Sequence, residues 1–210
     1  MPTRDEHARI DLYWIPLGAG GSGFVRLNGR IYEWVQARRE RRRPMDLYHT
    51  ALRVHLPEGR FVVETMWPSP DDEVAARGVV IQGPVWSHLL GAVRTFRYEV
   101  RRWREGQLPD ADQAVGGPQT VSDHPDQARN LLDAVESIPG LVWGRDQMRA
   151  GEMWNSNSVV SWLLTVSRVP MHEVHPPTGG RAPGWDAGIL IGRGEHPEQD
   201  ILANQMGRFG

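Results

Sequence analysis

Three side chains in this 210-residue chain carry the functional groups of acyl transfer: a hydroxyl, an imidazole and a carboxylate. Ser156 sits in the run Asn155-Ser156-Asn157-Ser158, directly ahead of an apolar stretch. On a helix starting near Ser156, that residue shares a face with Val159, Val160 and Leu163, at i+3, i+4 and i+7. Unpaired backbone N–H groups and a partial positive charge at a helix start stabilise an alkoxide-like nucleophile or an oxyanion. Serine and asparagine are equally the favoured helix caps, so the same run also reads as a plain cap.

His49 lies in "LYHTALRVHLPEGRFVVETMWP", which predicts two strands, Leu47 to Leu56 and Arg60 to Trp67, joined through Pro57-Glu58-Gly59. Alternation along the first strand puts Tyr48, Thr50, Leu52 and Val54 on one face and Leu47, His49, Ala51 and Arg53 on the other. The small Ala51 leaves room beside His49 for an approaching element. Glu64 falls on the second strand. A two-residue turn at Glu58-Gly59 would leave it out of register with His49, and a wider loop from His55 to Gly59 would bring the two nearly opposite. Histidine, neighbouring carboxylate and a serine at a buried helix start form a base, an orienter and a nucleophile.

These groups need elements to hold them. Further strands are predicted at Asp11 to Leu17, Phe24 to Leu27, Gly78 to Val85, Val93 to Trp103 and, late in the chain, Ala187 to Ile191. A helix is predicted from Asn28, ending in the arginine run before Pro44. Others are predicted from about Asp126 to Ser137 and from Ser156 to about Ser167. Residues 105–125 read as a polar connection. Several short strands with helices grouped around them argue for an α+β fold, an antiparallel meander with packed helices. The length suits a single domain over 1–196, with 197–210 a flexible tail.

Composition removes several chemistries. The chain has no cysteine, and all 24 of its Lys-plus-Arg residues are arginine. Thiolate nucleophiles, Schiff bases and a lysine-bearing phosphate loop are therefore excluded. A net charge of -2 gives no general pull toward nucleic acid. No apolar run approaches the roughly 20 residues of a membrane span, and no signal peptide is visible, so a cytoplasmic location is expected. Gly18 to Gly23 formally matches G-x-G-x-x-G, but an extended stretch follows where a helix is required, so it reads as a flexible loop. Arg38 to Arg43 reads as a solvated helix end. His172 and His175 lack the helical spacing of a metal pair, and neither metal nor cofactor is expected.

Taken together, the hairpin and the serine-bearing helix resemble the permuted papain-like enzymes of the NlpC/P60 superfamily, especially the lecithin retinol acyltransferase-like branch. That branch carries H-x-A-L-x-V on a strand, a polar residue in the next strand, and N-C-x-x-F/V at a later helix. Here His49 to Val54, Phe61 to Glu64 and Asn155 to Val159 stand in those places. The resemblance implies a permuted papain-like fold with His49 as base, Glu64 as orienter and Ser156 as nucleophile. Serine replaces the family's cysteine. The activity implied is hydrolysis or acyl transfer on a carboxylic ester or amide, with a small-molecule, peptide or lipid acyl group as substrate. Tyr13, Trp14, Tyr48, Trp67, Trp154 and Asn155 are expected around the substrate, with Tyr13, Tyr48 or Gln147 supplying a second oxyanion donor. The alternative is a scaffold that lost its thiol and binds a peptide, glycan or lipid without turnover; the nine tryptophans suit that surface.

Overall fold

The computed structural model describes residues 8–19, 33, 36–68, 78–87, 89, 91, 96–108 and 110–195. The predicted strand at Phe24 to Leu27, most of the glycine run and the C-terminal tail lie outside them.

The fold is α+β. Among the described residues seven strands, β1 (Arg9–Pro16), β2 (Asp46–Leu56), β3 (Gly59–Met66), β4 (Val79–Pro84), β5 (Arg97–Arg104), β6 (Gln119–Ser122) and the two-residue β7 (Gly180–Arg181), form one sheet. Among the described residues, three helices with both ends described accompany them, α1 (Pro125–Ala134), α2 (Ser156–Val166) and α3 (Trp185–Arg193), and residues 33 and 36–39 are also helical. The spatial order is β4-β5-β3-β2-β1-β6, antiparallel throughout, with β7 added parallel to β2. This departs from a simple meander. β4 takes the outer edge, so β5 turns back to pair with β3, and β6 crosses to the far edge beside β1.

The β2–β3 turn is of the two-residue kind read from sequence, placed one position earlier. Leu56 pairs with Gly59, which leaves only Pro57 and Glu58 in the loop. Gly59, at φ 141°, closes against the Arg104 side chain, where a Cβ would come within 2.7 Å of Nε.

The two faces of the sheet differ in chemistry. Leu12, Trp14, Tyr48, Leu52, Val54, Val63, Tyr98 and Val100 face the helices and build the main core with Leu131, Val160, Leu163 and Leu164. On the opposite face Tyr13, Ile15, Ala51 and Val62 form a second, small core under Leu108. Strand alternation sends Asp11, His49, Arg53, His55, Glu64, Glu99 and Arg101 to that same second face.

The late segment expected to be a strand is the helix α3. Its Ile189-Leu190-Ile191 run has β character in isolation, but Gly188 and Gly192 let α3 lie directly on α2. A Cβ on Gly188 would fall 2.1 Å from Ser161 Oγ and 2.2 Å from the Ser158 carbonyl. Close helix packing decides the matter where local preference does not. The polar connection 105–125 also holds a short helical turn (Ala111–Gln113) and β6, neither of which shows a hydrophobic period.

Candidate functional site

The predicted helix start is present, and it is built as a latch. Asn155 Oδ1 accepts from the Asn157 and Ser158 N–H groups at 2.9 and 3.3 Å, and Ser158 Oγ accepts in return from the Asn155 N–H at 3.1 Å. This reciprocal box satisfies the backbone donors that a helix start leaves unpaired. Asn157 Nδ2 donates to the Tyr48 and Pro183 carbonyls at 3.0 and 2.9 Å, while its Oδ1 accepts from Thr50 Oγ1 at 3.0 Å. The run therefore ties α2 to β2 and to the loop ahead of α3.

That latch fixes which side of β2 meets the helix. Thr50 points to α2, so alternation turns His49 the other way, toward Ile15 and Ala51. Ser156 is buried, and no hydrogen bond joins its hydroxyl to His49. The structure thus does not assemble the expected Ser156–His49–Glu64 relay, because a helix docked on the Thr50 face cannot present its first turn to the imidazole's face.

His49 and Glu64, by contrast, do share a face. The β2–β3 ladder stops at Leu52 and Val63, while β2 runs on beside β1 to Tyr48 and β3 beside β5 to Met66. His49 stands on one bank of that open ladder and Glu64 on the other, one diagonal step apart in register but on strands no longer paired there. No hydrogen bond or ion pair joins the two side chains, and neither acts on the other's titration. A third group joins them from above. Asp110, held at φ 58° in the 105–118 connection, acts electrostatically on both. Sequence reasoning missed it because an aspartate in a polar loop carries no periodic signal. The nearest hint is the apolar spacing of Leu108, Ala111 and Ala114, which pack on the second face and carry Asp110 over it.

The electrostatics of this cluster are unusual for surface carboxylates. Burial pushes the Glu64 carboxyl up to about 7, Asp110 adds to the rise, and Arg101 opposes it. Burial lowers the His49 imidazole from its ordinary value, with Asp110 working against that shift. Glu64 is 7% exposed, and its Oε2 has no hydrogen-bond partner among the described residues. Its cross-strand neighbour Arg101 is engaged by Glu99 at 2.8 Å, a pair itself buried.

The remaining expected substrate contacts are scattered. Trp14, Tyr48 and Trp154 are core residues: Trp14 packs on Trp185 with ring centroids 4.8 Å apart, and Trp154 Nε1 donates to the Tyr98 hydroxyl at 3.2 Å. Asn155 is the cap. Gln147 Oε1 accepts from the Val142 N–H at 2.5 Å, closing a turn. Tyr13 alone lies on the His49 face, with the Arg53 guanidinium 5.1 Å from its ring centre. Trp67 is exposed beside Trp143. Among the described residues, no three His, Asp or Glu side chains gather as metal ligands would, and no helix is long and apolar enough to cross a membrane.

No family model, curated protein or solved structure matches the chain.

Proposed function

We propose that the chain is an acid–base hydrolase whose centre is His49 and Glu64 on the sheet face away from the helices, tuned by Asp110. The observation that carries this reading is the Glu64 carboxyl, buried on the same sheet face as His49 with one oxygen unpartnered among the described residues and titrating near 7. A carboxyl that titrates near neutrality is half protonated there and serves as an acid, while a neutral imidazole serves as a base. The motif resemblance to permuted papain-like enzymes supports a carboxylic ester or amide as substrate and a related fold. In the proposed step His49 takes a proton from water, whose oxygen bonds to the carbonyl carbon. Glu64 donates its proton to the leaving oxygen or nitrogen as that bond to carbon breaks. The products are a carboxylic acid and an alcohol or amine, and the proton on His49 returns to Glu64 through solvent.

The test is hydrolysis of short p-nitrophenyl esters. His49→Asn and Glu64→Gln are each expected to lower kcat/KM by about 100-fold or more, and Ser156→Ala to leave it nearly unchanged. The rate should fall above pH 7 as Glu64 ionises, and also at acid pH as His49 becomes charged. Fluorophosphonate labelling that maps to Ser156 would replace this mechanism with the serine one.

A second reading rests on a different observation. Trp67 and Trp86 are 52% and 68% exposed, flanking Trp143. Trp86 holds a left-handed backbone at φ 66°, pinned by a bond from its N–H to the Trp143 carbonyl and by Arg145 Nε on its own carbonyl. Indoles held out in this way suit stacking on a glycan, the binding-module alternative. No ester turnover, combined with quenching of Trp86 fluorescence by soluble glycans, would favour it.

A further inference from the structure

A cleft of about 240 Å³ lies on the helical side of the molecule, apart from the His49–Glu64 centre. Its floor is apolar: Met171, Val174, Ala182 and Trp185 are buried there, and Ile189 adds a side. Its rim is charged, with Glu152, Arg181 and Asp186 all lining the opening beside His175. Of these, Arg181 is already neutralised, by Glu152 at 3.1 Å and Glu40 at 3.5 Å. Glu152 receives one hydrogen bond on each oxygen, from Arg181 Nη2 and from the Gly184 N–H at 2.6 Å. Each carboxylate oxygen keeps a second lone pair for another donor. Asp186 enters no ion pair among the described residues; burial raises the Glu152 carboxyl from its ordinary value, and the Asp186 charge adds to that rise. The rim therefore carries negative charge in excess above a greasy floor.

We propose that this cleft binds a small organic cation, an ammonium group on a short apolar chain. The ammonium would sit between Asp186 and Glu152, and the chain would lie along Met171, Val174 and Ile189. The cleft is smaller than the roughly 300 Å³ at which pockets for drug-sized ligands begin, which favours a small occupant. A carboxylate of the same shape would meet like charge, and a neutral alcohol would forgo the ion pair.

The test titrates the full-length protein, in phosphate buffer, with n-butylammonium, phenethylammonium, butyrate and n-butanol, followed by amide chemical shifts. Saturable shifts at Val174, Asp186 and Ile189 are expected for both amines. Binding of butyrate and n-butanol should be at least roughly tenfold weaker, which corresponds to about 1.4 kcal/mol. Asp186→Asn, an exposed position that leaves the Trp14–Trp185 contact intact, should weaken the amines by a similar factor. Met171→Trp should block them by filling the floor, with near-UV circular dichroism confirming the fold. Linear, unsaturating shifts, equal binding of butyrate, or an Asp186→Asn variant that binds as tightly as the parent would each overturn the proposal. None of these outcomes bears on ester hydrolysis.

Discussion

Two carboxylates on the same sheet face show how partners, rather than burial, set the behaviour of an acid. Asp11 is buried, which alone would raise it, yet hydrogen bonds from His55, Thr120 and Arg9 bring it down to about 2. Glu64 is buried without that set of donors and rises to about 7. Unfolded, Glu64 gives up its proton near 4.5; folded, it holds the proton to about 7. Between those pH values the native state binds a proton that the unfolded chain has lost, so stability falls as pH rises through the window. The full loss is roughly 3 kcal/mol, present above pH 7 and absent below 4.5. Glu64→Gln, which cannot ionise, is expected to gain stability of that order at pH 8 and nothing at pH 4, as read by urea unfolding. If the variant is no more stable at pH 8, Glu64 is an ordinary carboxylate and loses its claim to an acid's role.

At the scale of elements, the helix start separates a residue that holds the fold from one that only sits near it. Asn157→Ala strips its donor from the Tyr48 carbonyl and leaves the Thr50 hydroxyl without its acceptor inside the core, while the Pro183 carbonyl keeps Asn155 Nδ2 at 2.8 Å. The expected cost is about 2–4 kcal/mol, since each buried polar group left unpaired costs roughly 1–3. Ser156→Ala removes no recorded bond of the latch and is expected to cost less than about 1 kcal/mol. Equal losses in chemical unfolding would mean that the Ser156 hydroxyl has a structural partner of its own. Much of this was readable beforehand. Alternation along β2 correctly separates the Thr50 face from the His49 face, while the stripe of α2 marks only one of its packing sides, since every residue from Ser156 to Leu164 is buried. Which β2 face receives α2 was not readable, because that choice is made by Asn157 and Thr50, 107 positions apart. The helix α3 was hidden for a similar reason: Gly188 makes sense only against Ser158 and Ser161, and Gly192 only against Thr165.

For the molecule as a whole, the sheet is a partition. The helices and their large core occupy one side, and a small core with the titratable cluster occupies the other. The second side is closed by the 105–118 connection, whose backbone turns left-handed at Glu105, Asp110, Gly116 and Gly117, with φ between 53° and 75°. Leu108 is its anchor, seated among Tyr13, Ile15, Ala51 and Val62. Few apolar contacts hold this segment compared with the helices, which is the condition for opening below the free energy of global unfolding. A substrate can reach Glu64 only if such opening occurs. The absence of any native cysteine makes the test clean. In Leu108→Cys the thiol should react with an aromatic disulfide reagent at a rate that depends weakly on urea. In Val63→Cys, on the main-core face, the rate should rise steeply with urea, because exposure there needs the whole sheet to come apart. If the two thiols share one steep dependence, the connection does not open independently. The carboxyl would then be sealed in the native state, leaving the His49–Glu64 centre without a route for substrate.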